Sequence, residues 1–356
     1  MKYPVAATIL IGALTPECHA QSSIQMYGVI DAGLMYKTGA DAAGKSLSQL
    51  VSGVEATNRW GLRGREDLGG GWAAIFSLES GFRVGTGMLI GSSQRQDSTV
   101  LFDRGATIGI TNEQAGTVRF GRNWTPFYDA VFASDAAGWS NFGSLNNLSY
   151  QQRTGLPGAG YYWANNSVKY ASPVFAGLSG SVLYSFGGHA GDFKNSRLYS
   201  AALVYRNGPV LLNAGYLDAN DPTGATDSTV ARAYHIGAMY SFGGLSRAGV
   251  SWTSFRDPAA GSKQGYLGAT GTYGMTSTFA LSGVYTHLFD HTVAAGHADM
   301  FKLAADCFLS KRTTVYADVG YARNGTGSTL GLQYTTPVAK PGKNQFAVAA
   351  GMRMTF

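Results

Sequence analysis

The sequence predicts an all-β fold, a 16-stranded antiparallel transmembrane β-barrel, from three observations. Apolar and polar residues alternate with period two from residue 23 onward, short turns alternate with long polar connections, and glycine and aromatics are abundant while charge is scarce. Of 356 residues, 49 are Gly, 12% are aromatic and only 13% are charged, whereas soluble domains average about 25% charge. Disorder needs high charge and few aromatics. Collagen needs strict Gly periodicity and much Pro, and this chain has 10 Pro. A helical bundle needs runs of ~20 apolar residues, and none occurs after the N-terminus.

Residues 1–20 read as a signal peptide and 21–356 as a single barrel domain. Lys2 supplies a positive start, Val5 to Leu14 an apolar stretch, and Cys18-His19-Ala20 small residues at the two positions that a signal peptidase reads, so cleavage is expected after Ala20. The apolar stretch is too short for an anchor, and Pro16 and Glu17 argue against a lipoprotein signal at Cys18. Cleavage removes Lys2 and Glu17 and leaves the net charge at +6. Cys307 is then the one cysteine, so no intrachain disulfide forms.

In the first strand, Ile24, Met26, Gly28, Ile30, Ala32, Leu34 and Tyr36 share one face, against Gln25, Tyr27, Asp31 and Lys37. Trp60, Leu62 and Gly64 then oppose Arg59, Arg63 and Arg65, and Trp72, Ala74, Phe76, Leu78 and Phe82 oppose Ser77, Glu79 and Arg83. The last run sets Phe346, Val348, Met352, Met354 and Phe356 against Ala349, Gly351, Arg353 and Thr355. Sixteen such strands are expected near 23–37, 58–66, 72–83, 101–111, 117–122, 165–171, 178–186, 197–206, 210–218, 231–242, 245–256, 264–274, 279–289, 298–309, 314–323 and 344–356. The long connections are 38–57, 84–100, 123–164, 187–196, 219–230, 257–263, 290–297 and 324–343. An even strand number with alternating short turns and long loops is the outer-membrane pattern. Because lipid tolerates no free sheet edge, the terminal strand must pair with the first. A barrel of this size encloses an aqueous channel.

Several segments resemble general porins of Gram-negative β-proteobacteria. These are Tyr27 to Gly33 in the first strand, Arg59 to Gly71 in the second strand and its turn, and Phe76 to Phe82 in the third. Phe120-Gly121-Arg122-Asn123-Trp124-Thr125-Pro126 followed by Tyr128-Asp129-Ala130 resembles the fifth strand entering the third loop, and Asn166 to Tyr170 resembles the sixth. The resemblance covers the whole mature chain. It implies a homotrimeric, water-filled channel in the outer membrane, whose third loop, about 123–164, folds inward so that its acids face arginines on the wall. It also implies that the terminal Phe356 is the signal read by the barrel-assembly machinery. No enzyme activity and no cofactor are implied.

Parity places Arg59, Arg63 and Arg83 opposite lipid-facing residues, hence in the lumen, because a charge in mid-membrane lipid costs about 2–4 kcal/mol. Arg104 shares parity with Phe102, Ile108 and Ile110, and it is the resemblance that puts it in the pore. Arg119 faces the lumen by parity. Arg122 shares parity with Val118 and Phe120, which points it away, towards an interface between subunits. The expected constriction sets Arg59, Arg63, Arg83, Arg104 and Arg153 against Asp129, Asp135, Glu79 and Asp31. Opposed rings of charge select ions by sign, and the positive excess predicts passage of small hydrophilic solutes with a preference for anions. The chain departs from the family pattern at Asn141, where a carboxylate often precedes the Phe-Gly pair, and before Asn165, where a base is common.

Two other functions fit less well. An outer-membrane hydrolase needs a nucleophile placed beside a base, and none of His189, His235, His287, His291 and His297 lies in such a motif. These histidines show no metal-site spacing either. A loop-mediated adhesin or a substrate-selective channel would use the loops or an aromatic track such as Tyr128, Tyr150, Tyr161, Tyr162 and Trp163, which equally fit packing of the third loop on the wall. The basic balance suits lumen charge and contact with outer-membrane lipids and lipopolysaccharide rather than nucleic acid.

Overall fold

A computed structural model describes residues 23–90, 100–151, 162–221 and 228–356. The expected signal peptide and Arg153 lie outside these residues. The first strands of the wall are β1 (Ser23–Lys37), β2 (Leu47–Ser52), β3 (Arg59–Gly69), β4 (Trp72–Gly81), β5 (Gly105–Asn112) and β6 (Gly116–Trp124). Two short helices come next, α1 (Pro126–Ala133) and α2 (Leu145–Tyr150). The wall continues with β7 (Trp163–Ala171), β8 (Leu178–Ser185), β9 (Leu198–Asn207), β10 (Val210–Asn220), β11 (Val230–Gly243) and β12 (Ser246–Asp257). It ends with β13 (Ser262–Gly274), β14 (Phe279–Asp290), β15 (Ala298–Phe308), β16 (Thr313–Asn324) and β17 (Gln345–Thr355).

All pairings are antiparallel between neighbours, and β17 returns to β1, which closes the barrel. The seventeen strands make sixteen staves, because β2 pairs with the far half of β1 and β3 with its near half. The expected first loop, 38–57, thus contains a strand. The cause of the break between β2 and β3 is Asp31. Its carboxylate accepts the amides of Val54, Glu55 and Ala56 at 3.2, 3.0 and 2.7 Å and the Tyr316 hydroxyl at 2.6 Å, so residues 53–58 turn off the ladder into the barrel. The sixth long connection shrinks to the four residues 258–261, since Asp257 still pairs with Ser262.

The outer surface follows the expected alternation: Ile24, Met26, Leu34, Met352 and Met354 are exposed, while Asp31, Lys37 and Gln345 are buried inside. Closure is tight at the short-turn rim. Gly28 and Phe356 exchange two backbone hydrogen bonds of 3.1 Å. The Phe356 ring covers Gly28 so closely that a Cβ there would lie 2.4 Å from the ring and 2.7 Å from the Arg59 carbonyl oxygen.

The third connection enters the lumen. Pro126 at the first turn of α1 suits a helix start, and Phe127, Tyr128, Ala130 and Val131 bury against β9, β10 and β11. Wall side chains then satisfy the loop's polar groups. The Phe127 amide donates to Ser200 Oγ at 2.9 Å, and Ser134 Oγ lies 2.8 Å from His235 Nε2. The Ala136 amide donates to Thr270 Oγ1 at 2.8 Å, and its carbonyl accepts from Thr272 Oγ1 and Arg247 Nε, each at 2.7 Å. Gly237 permits the approach, since a Cβ there would meet Ser134 Oγ at 2.0 Å. Further along, the Gly143 amide donates to the Leu332 carbonyl at 2.8 Å, and Asn147 Nδ2 donates to the carbonyls of Gly331 and Leu332. The loop therefore lines one side of the barrel from β9 round to β16.

The seam makes a stability prediction. Gly28→Ala should lower unfolding stability by about 1–3 kcal/mol, as overpacking does, whereas Gly271→Ala, whose nearest neighbour would be 3.7 Å away, should stay within about 0.5 kcal/mol. Urea unfolding of the refolded barrel, followed by heat-modifiable migration, measures both.

Candidate pore constriction

Beside the third connection, the passage runs along β1 and β3–β7. Its narrow part is a space of about 620 Å3 lined by Arg59, Arg104 and Arg353 on the wall and by Asp129, Phe132 and Trp139 on the loop. Towards the short-turn rim it opens into a space of about 770 Å3. Arg104, Trp124 and Trp163 border both. The wider space is lined by six cations, Arg63, Arg65, Arg104, Arg119, Arg122 and Lys169, and by one acid, Glu79.

Glu79 organises the wall cluster. It accepts Arg104 Nε at 2.7 Å and the Tyr27 hydroxyl at 3.1 Å, and Arg59 lies 3.7 Å away. Arg104 precedes β5, so strand parity does not bind it, and its guanidinium lies over the Trp163 ring at 5.1 Å. Arg63 donates twice to Gln25 Oε1, at 2.9 and 2.7 Å, and lies over Tyr27. Across the passage, Asp129 pairs with Lys169 at 2.6 Å and keeps 40% of its side chain exposed.

Other sequence-expected residues fall elsewhere. Asp31 is fully buried in the wall junction and lines neither space. Arg83 lies beyond β4, exposed in the second long connection, and also lines neither. Asp135 is buried, and its carboxylate accepts the amides of Ala137 at 2.8 Å and Trp139 at 3.0 Å, which holds Trp139 at a φ of 57°. Burial raises the Asp135 pKa, and the Ala137 amide pulls it back. It borders a third space of about 850 Å3 on the short-turn side of the loop, beside Arg206 and Arg247.

Arg122 corrects the parity argument. Gly121 has a φ of +118°, and the pairing with β7 slips between Gly121 and Asn123. A bulge rotates the following side chain to the other face. Arg122 therefore enters the lumen instead of facing a neighbour, donates to the Asp103 carbonyl at 2.7 Å and lies over Trp163 at 5.6 Å. A glycine inside a strand is the sequence sign of such a bulge.

Four charged residues that join the passage were not singled out from sequence: Arg65, Arg353, Glu55 and Lys169. Arg353 NH1 donates to Glu55 Oε2 at 2.8 Å. Arg353 and Lys169 were legible from parity, since Met352, Met354, Val168 and Tyr170 flank them. Glu55 was not, because residues 53–58 leave the ladder. Asn141, at the position of a family carboxylate, donates through Nδ2 to the Gly53 carbonyl at 3.0 Å and Thr57 Oγ1 at 3.2 Å, and so ties the loop to that inward turn. Tyr128 and Tyr162 are buried and stacked at 3.9 Å, which makes them loop packing, while Tyr161 lies outside the described residues.

A family model described as Gram-negative porin matches residues 6–327. Outer membrane porin proteins of Bordetella pertussis and Delftia acidovorans are each 30% identical, over 91% and 95% of this chain and 95% of each relative. Among solved structures, an anion-selective porin from Comamonas acidovorans superposes with a TM-score of 0.80 at 25% identity, over 94% of this chain and 100% of that one. OmpT of Vibrio cholerae, described in its trimer form, superposes at 0.66 with 16% identity, over 94% and 99%, a likeness of fold. With a closed 16-stranded wall, an inward loop and a water-accessible passage between them, the chain belongs to the Gram-negative porins, channels of the outer membrane.

Proposed function

We propose that the channel passes small hydrophilic solutes and ions by passive diffusion, prefers anions, and works as a homotrimer. The carrying observation is the ring of six cations and one acid just beyond the constriction. Charge of one sign on closely spaced walls concentrates the opposite ion and repels its own. Arg104 borders both spaces, so its charge acts on ions in each of them. Arg59 and Arg353 extend the positive wall, and Asp129 and Glu55 give the narrow part its opposing charge. Glu79 offsets part of the field of Arg59 and Arg104, which leaves Arg63, Arg119 and Arg122 to supply much of the excess. The anion-selective porin from Comamonas acidovorans shares this fold at 25% identity, which supports the same sign of preference here. The trimer rests on the resemblance stated from sequence and on the fold shared with a protein described as trimeric. The terminal Phe356, whose backbone bonds to Gly28 at the seam, serves as the assembly signal, a role that rests on the resemblance stated from sequence.

Planar-bilayer reversal potentials in a salt gradient test the ion preference. The parent should favour anions, Arg104→Ala should reduce the anion-to-cation ratio roughly twofold or more, and Asp129→Ala should raise it. Asp135→Ala should leave the ratio nearly unchanged, because its carboxylate is occupied by loop amides. Raising the salt to 1 M shortens the screening length to about 3 Å and should weaken the preference in all variants. Cation preference in the parent at neutral pH would remove the proposal.

The assembly has its own measurement. Unheated folded protein should give a trimer mass by native mass spectrometry in detergent, and a monomer across all detergents tried would show that the channel acts singly.

A further inference from the structure

On the outside of the barrel, at the long-loop rim, three cations stand side by side on adjacent strands. Arg232 of β11 pairs in register with Arg256 of β12, and Arg256 with Lys263 of β13. All three are exposed. Like charges directly opposite one another on a sheet repel and destabilise the pairing. Arg232 has a local partner, since its Nε donates to Asp218 at 2.9 Å. Among the described residues, no ion pair is formed by Arg256 or Lys263, and the acids next to them in sequence, Asp257 and Asp290 across the ladder, alternate to the inner face, where they are buried.

The same place is concave. A space of about 320 Å3 is lined by Tyr234, Trp252, Ser254, Arg256, Lys263 and His291. Its floor is flat because Trp252 lies across Gly265, where a Cβ would sit 2.6 Å from the ring, and leans on Phe289 at 5.4 Å. Trp252 and Tyr234 belong to the aromatic band at the membrane interface. Arg256 lies four residues further along β12, about 13 Å at ~3.3 Å per residue or about 10 Å along the membrane normal for a strand tilted by ~40°, which sets its charge above the aromatic band, on the outer side of the interface. An apolar floor at the interface with cations above it matches an amphiphile that carries a phosphate, and a guanidinium binds phosphate through two parallel hydrogen bonds.

We infer that this notch on the outer face of β11–β13 binds the phosphate of an outer-leaflet glycolipid, with Arg256 and Lys263 on the phosphate and Trp252 against the lipid. The inference rests on the outer-membrane placement of the barrel and is independent of its ion preference. Bound phosphate would also relieve the repulsion between the two cations.

The test is native mass spectrometry of the folded protein in detergent, titrated with bisphosphorylated lipid A, with the same lipid lacking phosphate, and with inorganic phosphate. Heat-modifiable migration checks folding of each variant. Lipid A should bind the parent, and Arg256→Ser/Lys263→Ser should bind at least tenfold more weakly. The charge-matched Lys311→Ser/Arg312→Ser, in an exposed turn at the opposite rim, should bind as the parent does. If the double variant fails to fold, Arg256→Gln alone should still weaken binding severalfold. Equal binding by parent and notch variant, equal loss in the opposite-rim variant, equal binding of the phosphate-free lipid, or displacement by millimolar inorganic phosphate would each overturn the assignment. A negative result together with intact anion preference would remove this site and leave the channel reading standing.

Discussion

Closure of the sheet between β1 and β17 is the constraint from which the other features of the barrel derive. In hydrocarbon an unpaired backbone amide has no water to bond, so a spanning sheet persists only without edges. Gly28 and Phe356 complete the seam with hydrogen bonds in both directions. Just along β1, Asp31 takes the amides of the inward turn and the hydroxyl of Tyr316, so the seam, the split second stave and β16 are braced by one carboxylate. A buried carboxylate is stable when several donors meet it.

A closed wall offers the long third connection one interior, and the connection uses it unevenly. Ser200, His235, Thr270 and Thr272 on β9–β13 spend their polar groups on the loop backbone and its Ser134 hydroxyl. Buried polar groups need such partners, and at the level of the loop this half of the lumen is thereby occupied, with a space of about 850 Å3 left on its short-turn side. The arginine-rich half, from β3 to β7, stays wet. The sign of the passage thus comes from where the loop adheres as much as from the arginines themselves. Two of the histidines have quiet roles: His235 anchors the loop, and His287 pairs with Asp299 at 2.8 Å on the outer face.

Much of the architecture was legible because a membrane-spanning strand must alternate. Strand number, turn sides and the lipid faces of β1, β3, β4 and β17 come from that single requirement. Departures came where the ladder breaks or runs on further than the polar residues suggest. β2 hid inside an expected loop because its side is shared with β3, and the connection after β12 proved only four residues long. Parity also misdirected Arg122, since a bulge at Gly121 reverses the facing of the next residues along β6.

Alternation along the chain was enough for the fold class, the orientation of regular strand residues and the scarcity and sign of the charges, because two solvents on alternate residues leave a period that needs no tertiary information. Which charges share a space is a property of the folded chain alone. Arg104 and Arg122 turn inward through a strand start and a bulge, Asp31 and Asp135 are consumed by backbone amides, and Glu55 reaches Arg353 across 298 residues. Those outcomes depend on distances between segments far apart in the chain, and period-two alternation carries no record of such distances.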